Sequence, residues 1–139
     1  FADDEICQRI ARKFQPVIRI VNEPNPLKVK GWIATSKLVV CSRFHGCVSA
    51  LSSGVPCLGT SWSHKYEALF DEYQQAECLL QPTVDAKQMA ALFLRSAELA
   101  NSEEVQAAIR FYQQQSIQMW QQVVRVVANG MNSNSDEVK

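Results

Sequence analysis

Apolar positions along this chain alternate between a helical rhythm and short unbroken runs. Ile6, Ile10 and Phe14 recur every four residues and predict a helix over Asp4–Phe14. Val17-Ile18-Arg19-Ile20-Val21 follows Pro16 and is rich in β-branched residues, which predicts a strand. Asn22-Glu23-Pro24-Asn25-Pro26 breaks regular structure, because its two prolines fix the backbone and remove donors. Leu27–Thr35, with Val29, Trp32 and Ile33, reads as a short helix. Lys37–Cys41 then contains an apolar run suited to a strand covered on both faces. Phe44, Val48 and Leu51 share one stripe of a helix over Ser42–Ser53, and Gly54 and Pro56 mark its stop. Val55–Thr60 predicts another strand. Tyr66, Leu69, Phe70 and Tyr73 have the i, i+3, i+4, i+7 spacing of a helix. Cys78-Leu79-Leu80 reads as a short edge strand. Asp85 with Gln88 predicts a capping box that opens a helix to about Ala100, and Asn101 with Glu104 predicts the same for a long last helix. The stripe of that helix is Val105, Ile109, Tyr112, Ser116, Met119, Val123 and Val127, with a polar, frayed tail from Gly130.

Helices and strands that alternate in this order imply parallel strands with right-handed crossovers. The expected architecture is an α/β, Rossmann-like three-layer domain over residues 1–129 with a flexible tail over 130–139. A length of 139 residues suits one domain, and 47% hydrophobic with 20% charged residues excludes disordered and fibrous classes. The chain opens on a helix with no strand before it, and only about four strands are visible. This points to the second half of a larger two-domain protein.

No apolar run approaches the length of a membrane span, and Phe1-Ala2-Asp3-Asp4 lacks the character of a signal peptide. The formal net charge is zero, which argues against a generic nucleic-acid binder. The charge is uneven, however. Residues 1–65 carry a net +5, which suits an anionic ligand, and residues 66–139 a net −5, which suits a solvated flank; a plainer account gives the split no role. Cys7, Cys41, Cys47, Cys57 and Cys78 form no C-x-x-C pair and are odd in number. They read as reduced core thiols of a cytosolic protein.

In open parallel sheets, ligands bind beyond the carboxyl ends of the strands. Three loops qualify here: Asn22–Pro26, Cys41–His45 and Thr60–Lys65. In the second, Ser42-Arg43-Phe44-His45-Gly46 lies where a strand gives way to a helix, so free backbone N–H groups and the helix dipole favour an anion. Arg43 adds a planar fork suited to a carboxylate or phosphate, and His45 transfers protons near neutral pH. His45 falls on a stripe with Ser49 and Ser52, away from Phe44 and Val48. A plainer account has Ser42 capping the helix, Arg43 paired with a surface acid and His45 as a structural residue. The third loop contributes Ser61, Trp62, Ser63, His64 and Lys65. Its plainer account is a capped helix start with Trp62 half buried. Neither a glycine-rich phosphate loop nor a nucleophile elbow is present in the sequence.

These segments also resemble a known family. Leu38–Gly46 with its Arg43-x-His45, Ala50–Pro56 ending Gly54-x-Pro56, and Gly59-Thr60-Ser61 with Lys65 downstream are similar to the polysaccharide pyruvyl transferases over roughly residues 17–80. Trp62 stands where the family usually has tyrosine, and Ser63 and His64 stand where acidic and proline residues are frequent. The resemblance implies the C-terminal half of a GT-B-like enzyme with two Rossmann-like domains and the active site between them, so the N-terminal domain is an implied partner. It implies transfer of a pyruvyl group from phosphoenolpyruvate to two sugar hydroxyls as a ketal, in cytoplasmic synthesis of exopolysaccharide or cell-surface glycans. The acceptor is a sugar or lipid-linked glycan, and neither a cofactor nor an obligatory metal is implied. Arg43 matches the family arginine that clamps the donor. His45 matches the family histidine, as phosphate ligand or as the acid that protonates the methylene carbon. Ser42, Ser61, His64 and Lys65 complete the implied substrate site. Two other readings stay open. One is a glycosyltransferase domain that holds a nucleotide diphosphate sugar, with Glu67 the nearest acid for a ribose. The other is a non-catalytic module that binds sugar phosphates.

Overall fold

The computed structural model describes residues 2–14, 16–60, 63–81 and 83–133. Two compact units are distinguished, Phe1–Gly31 and Trp32–Lys139.

The first unit contains α1 (Ala2–Lys13), at the predicted position. Its stripe is not buried: Ile6, Ile10 and Phe14 are each about half exposed. The strand expected at Val17–Val21 does not form. The amides of Val17 and Ile18 instead bond back to the Phe14 carbonyl, continuing the turn that ends α1. Val17, Ile18, Ile20 and Val21 are all exposed. β-Branched composition records fit to a pleated, half-buried surface, and no such surface or ladder partner meets this segment among the described residues. Asn22–Pro26 therefore follows no strand end. It serves as the entry to α2 (Pro26–Ala34), where the Asn25 side chain accepts a bond from the Leu27 amide and Pro26 takes the first helical position.

The second unit holds a three-stranded parallel sheet in the order β1 (Val39–Cys41), β2 (Cys57–Thr60), β3 (Leu79–Leu80). Val39 pairs with Cys57, Cys41 with Gly59, and Gly59 with Leu79. β1 is not the doubly covered strand expected from its apolar run, because it lies at the sheet edge and Val40 is 59% exposed. That environment belongs to β2, whose Cys57, Leu58 and Gly59 are buried. Between β1 and β2 runs α3 (Phe44–Ser52), and between β2 and β3 runs α4 (His64–Glu72), followed by a short 3-10 turn at Ala76–Cys78. Gly54 ends the α3 segment at φ 73°, the left-handed conformation that glycine adopts without a steric penalty.

The core joins Cys47, Ala50 and Leu51 of α3 and the buried residues of β2 to Tyr66, Leu69 and Phe70 of α4. Val105 and Ile109 pack in the same cluster. α5 (Ala86–Ala100) carries the predicted capping box in full: Asp85 accepts from the Gln88 amide, and the Gln88 side chain accepts from the Asp85 amide. α6 (Glu103–Ser133) starts differently from the expectation. Asn101 closes α5, and the hydroxyl that accepts from the new helix, at the Val105 amide, is that of Ser102. With Asn101 already serving as the exit cap, the next polar residue takes the entry. The regular stripe of α6 is buried only at its start; Met119, Val123 and Val127 are exposed. The helix continues to Ser133, and the rest of the expected tail lies outside the described residues.

Candidate functional site

The carboxyl ends of β1 and β2 bring the second and third loops together. Arg43 is the residue before α3, with φ −99° and ψ 130°, and its side chain makes no cap bond. Ser42 accordingly does not serve as the hydroxyl cap. Its carbonyl instead accepts a 3.0 Å bond from the Tyr66 hydroxyl, 24 residues away on α4. The Tyr66 ring stands edge-on to Phe44 at 5.5 Å and 87°.

Lys65 completes the convergence. Its Nζ lies 4.9 Å from the centre of the Phe44 ring and 5.8 Å from that of Tyr66. Such cation–π contacts contribute on the order of 0.5–1 kcal/mol at exposed sites and hold the ammonium over a defined point. Phe44 stands between Arg43 and His45 in the chain, so the lysine charge sits over the same three-residue segment. Arg43, His45, His64 and Lys65 are all exposed. All four belong to the segments where two parallel strands give way to two helix N-termini, an open shelf whose polarity favours an anion.

The shelf is held from below by sulfur. The Cys41 thiol donates to the Arg43 carbonyl at 3.2 Å and accepts from the Arg43 amide at 3.4 Å. The Cys47 thiol points back to the Cys41 carbonyl at 3.6 Å. Gly46 is required here, because a Cβ would collide with the Cys41 sulfur. The thiol of Cys41 is pushed far up by its bond with Cys47 and by burial. That of Cys47 rises to about 12: the bond from Cys41 favours its thiolate, but the bond with Cys57 and burial outweigh it. These are protonated, packing thiols rather than nucleophiles. All five cysteines are free, as expected, but Cys7 is exposed and so is not a core thiol.

Not every expected site residue falls on this shelf. Ser61 and Trp62 lie outside the described residues. Ser63 precedes α4, and its Oγ is buried with no hydrogen-bond partner among the described residues. Glu67 lies exposed in the first turn of α4. No group of three metal-ligating side chains occurs among the described residues, and no described helix is long and apolar enough to cross a membrane. The residues that sequence reasoning missed are Tyr66 and Phe44, both read only as members of apolar stripes. The one signal in the sequence was the hydroxyl of Tyr66, which a purely apolar stripe has no use for.

The family model for polysaccharide pyruvyl transferase matches residues 1–64. The matched stretch includes Ser42, Arg43, His45, Gly54, Pro56, Ser61 and His64, and stops one residue before Lys65. Comparison with curated proteins and with solved structures gives no match. Residues 1–64, with the Arg43-x-His45 and Gly54-x-Pro56 motifs among them, are therefore similar to the polysaccharide pyruvyl transferase family.

Proposed function

We propose that the shelf binds phosphoenolpyruvate and takes part in transfer of its pyruvyl group to two hydroxyls of a sugar or lipid-linked glycan. The observation that carries this reading is the position of Lys65 over Phe44, which brings the ammonium to the segment that bears Arg43 and His45 at the neighbouring strand end. Phosphoenolpyruvate is a small, multiply charged anion with a carboxylate and a phosphate. The guanidinium of Arg43 offers two parallel donors to either group. Lys65 offers a point charge to the other, and Ser42, Ser61 and His64 lie on the same two loops.

His45 supplies the proton. Its transfer to the methylene carbon uses the carbon–carbon π electrons and leaves an oxocarbenium-like centre at the carbon bearing the phosphate. A sugar hydroxyl attacks that centre and releases its proton. The bond from that carbon to the phosphate oxygen breaks, inorganic phosphate departs, and a second hydroxyl attacks the same carbon and releases its proton, which closes the ketal. Cations on the shelf stabilise the departing phosphate. The reaction calls for no redox step. In this reading the acceptor is presented by a second, N-terminal α/β domain in a GT-B-like arrangement, and the chemistry is cytoplasmic, where phosphoenolpyruvate is made.

Calorimetric titration with phosphoenolpyruvate, and in parallel with nucleotide diphosphate sugars, tests the donor. Saturable binding of phosphoenolpyruvate is the expected outcome. Phosphate release in the presence of sugar acceptors then tests the reaction. Binding of nucleotide sugars with none of phosphoenolpyruvate would overturn the reading in favour of a glycosyltransferase.

A further inference from the structure

We propose that Tyr66 is a positioning residue of the anion shelf, setting Arg43 and His45 through the carbonyl of Ser42; this rests on the reading of the shelf given above. Tyr66 is 1% exposed and occupies a stripe position where phenylalanine would bury as well. Burying a phenol costs free energy unless the hydroxyl is bonded. Here it donates to the Ser42 carbonyl, the last peptide oxygen before Arg43. That carbonyl lies at the junction of β1 and α3, outside both elements.

The bond therefore holds the Ser42–Arg43 peptide, directly ahead of the Arg43 carbonyl that the Gly46 and Cys47 amides tie into the first turn of α3. That peptide is held at both ends: its N–H donates to the Cys41 sulfur, which also bonds the Arg43 carbonyl, and its own carbonyl accepts from the phenol of Tyr66. The same side chain also braces Phe44 edge-on, and Phe44 is the ring on which Lys65 rests. One buried residue thus sets the orientation of the guanidinium-bearing backbone and the height of the ammonium above it. Side chains that hold an anion through directed bonds lose much of their affinity when shifted by a fraction of an ångström.

The test is Tyr66→Phe, which keeps the ring and removes only the hydroxyl. Amide hydrogen exchange over Arg43–Cys47 should quicken, and affinity for phosphoenolpyruvate should fall roughly tenfold, on the scale at which misplacement costs binding. Tyr73→Phe removes a phenol from the opposite end of α4 and should change neither readout. Unchanged exchange at Arg43–Cys47 would overturn the proposal, as would faster exchange with wild-type affinity. A lower melting temperature with wild-type affinity in the folded fraction would also overturn it, since that is the signature of a purely structural tyrosine. Should the unaltered protein bind no phosphoenolpyruvate, the reading of the shelf fails by itself, and the exchange measurement still decides whether Tyr66 clamps the loop. Should Tyr66→Phe fold poorly, 3-fluorotyrosine at position 66 perturbs the same hydroxyl while retaining it, and an unaltered exchange pattern there would count against the clamp.

Discussion

Arg43 shows how a single side chain tests the site. Arg43→Lys keeps the charge and loses the planar fork, so a carboxylate or phosphate held through two bonds is then held through one. The expected loss is about 2–3 kcal/mol, roughly 30–150-fold in kcat/KM. His45→Ala should lower kcat by roughly 10²–10⁴-fold as the loss of a general acid. Both residues are exposed and neither joins the core cluster, so melting should hardly change. Near-normal kinetics in both variants would remove them from the site. The buried thiols make a separate prediction. Cys47 rises from 9.0 to about 12 through its bond with Cys57 and burial, which outweigh the bond from Cys41, and Cys78 rises from 9.0 to about 11 by burial. Each group keeps its proton in the fold over a pH range where the unfolded chain releases it. The unfolded state therefore binds fewer protons there, and stability falls with pH. Their contribution should be complete below about pH 9 and decline between pH 9 and 12, which denaturant titrations at stepped pH would read. Stability that is flat across that window would contradict the burial of these thiols.

Short elements leave little tolerance in their packing. β2 has four residues, and its Gly59 faces the Phe70 ring so closely that a Cβ would lie 2.5 Å from one ring carbon and 2.7 Å from another. Phe70 is fully buried, so it has nowhere to withdraw. Gly59→Ala should cost on the order of 1–3 kcal/mol, the range for overpacking a filled core. Adding Phe70→Leu should recover part of the loss, since it removes the atoms in conflict. Full additivity of the two destabilisations in a melting series would show that the clash is not what Gly59 avoids.

Across the molecule, burial is distributed unequally along one helix. Val105 and Ile109 of α6 sit in the core, and Gln113 reaches the Ser52 carbonyl at the end of α3. Beyond this the same helix exposes Ile117, Met119, Trp120, Val123, Val124, Val126 and Val127. Ile109→Ala should destabilise by about 2–5 kcal/mol, the range for truncating a buried aliphatic. Trp120→Ser should move the melting temperature little, because Trp120 is 60% exposed. A large loss of stability from Trp120→Ser in dilute, monomeric protein would mean that this half of α6 is covered.

Local signals determined a great deal here. The cap at Asp85, the stop at Gly54, the approximate positions of α1 to α6 and the parallel sense of the strands follow from side-chain chemistry and spacing that act within a few residues. The Arg43-x-His45 loop was legible for the same reason, since a strand that yields to a helix exposes N–H groups wherever the sequence places it. Tertiary structure alone decided the rest. Val17–Val21 has strand composition but no ladder, because a strand exists only through its partner. Val40 of β1 is exposed and Leu58 of β2 buried, although both belong to apolar runs, because sheet order and not hydropathy selects the central strand. The bond from Tyr66 to Ser42 and the seat of Lys65 on Phe44 join residues 21 to 24 positions apart. No periodicity encodes such pairs. They arise only when two crossovers of the same hand deliver two loops to one edge of the sheet.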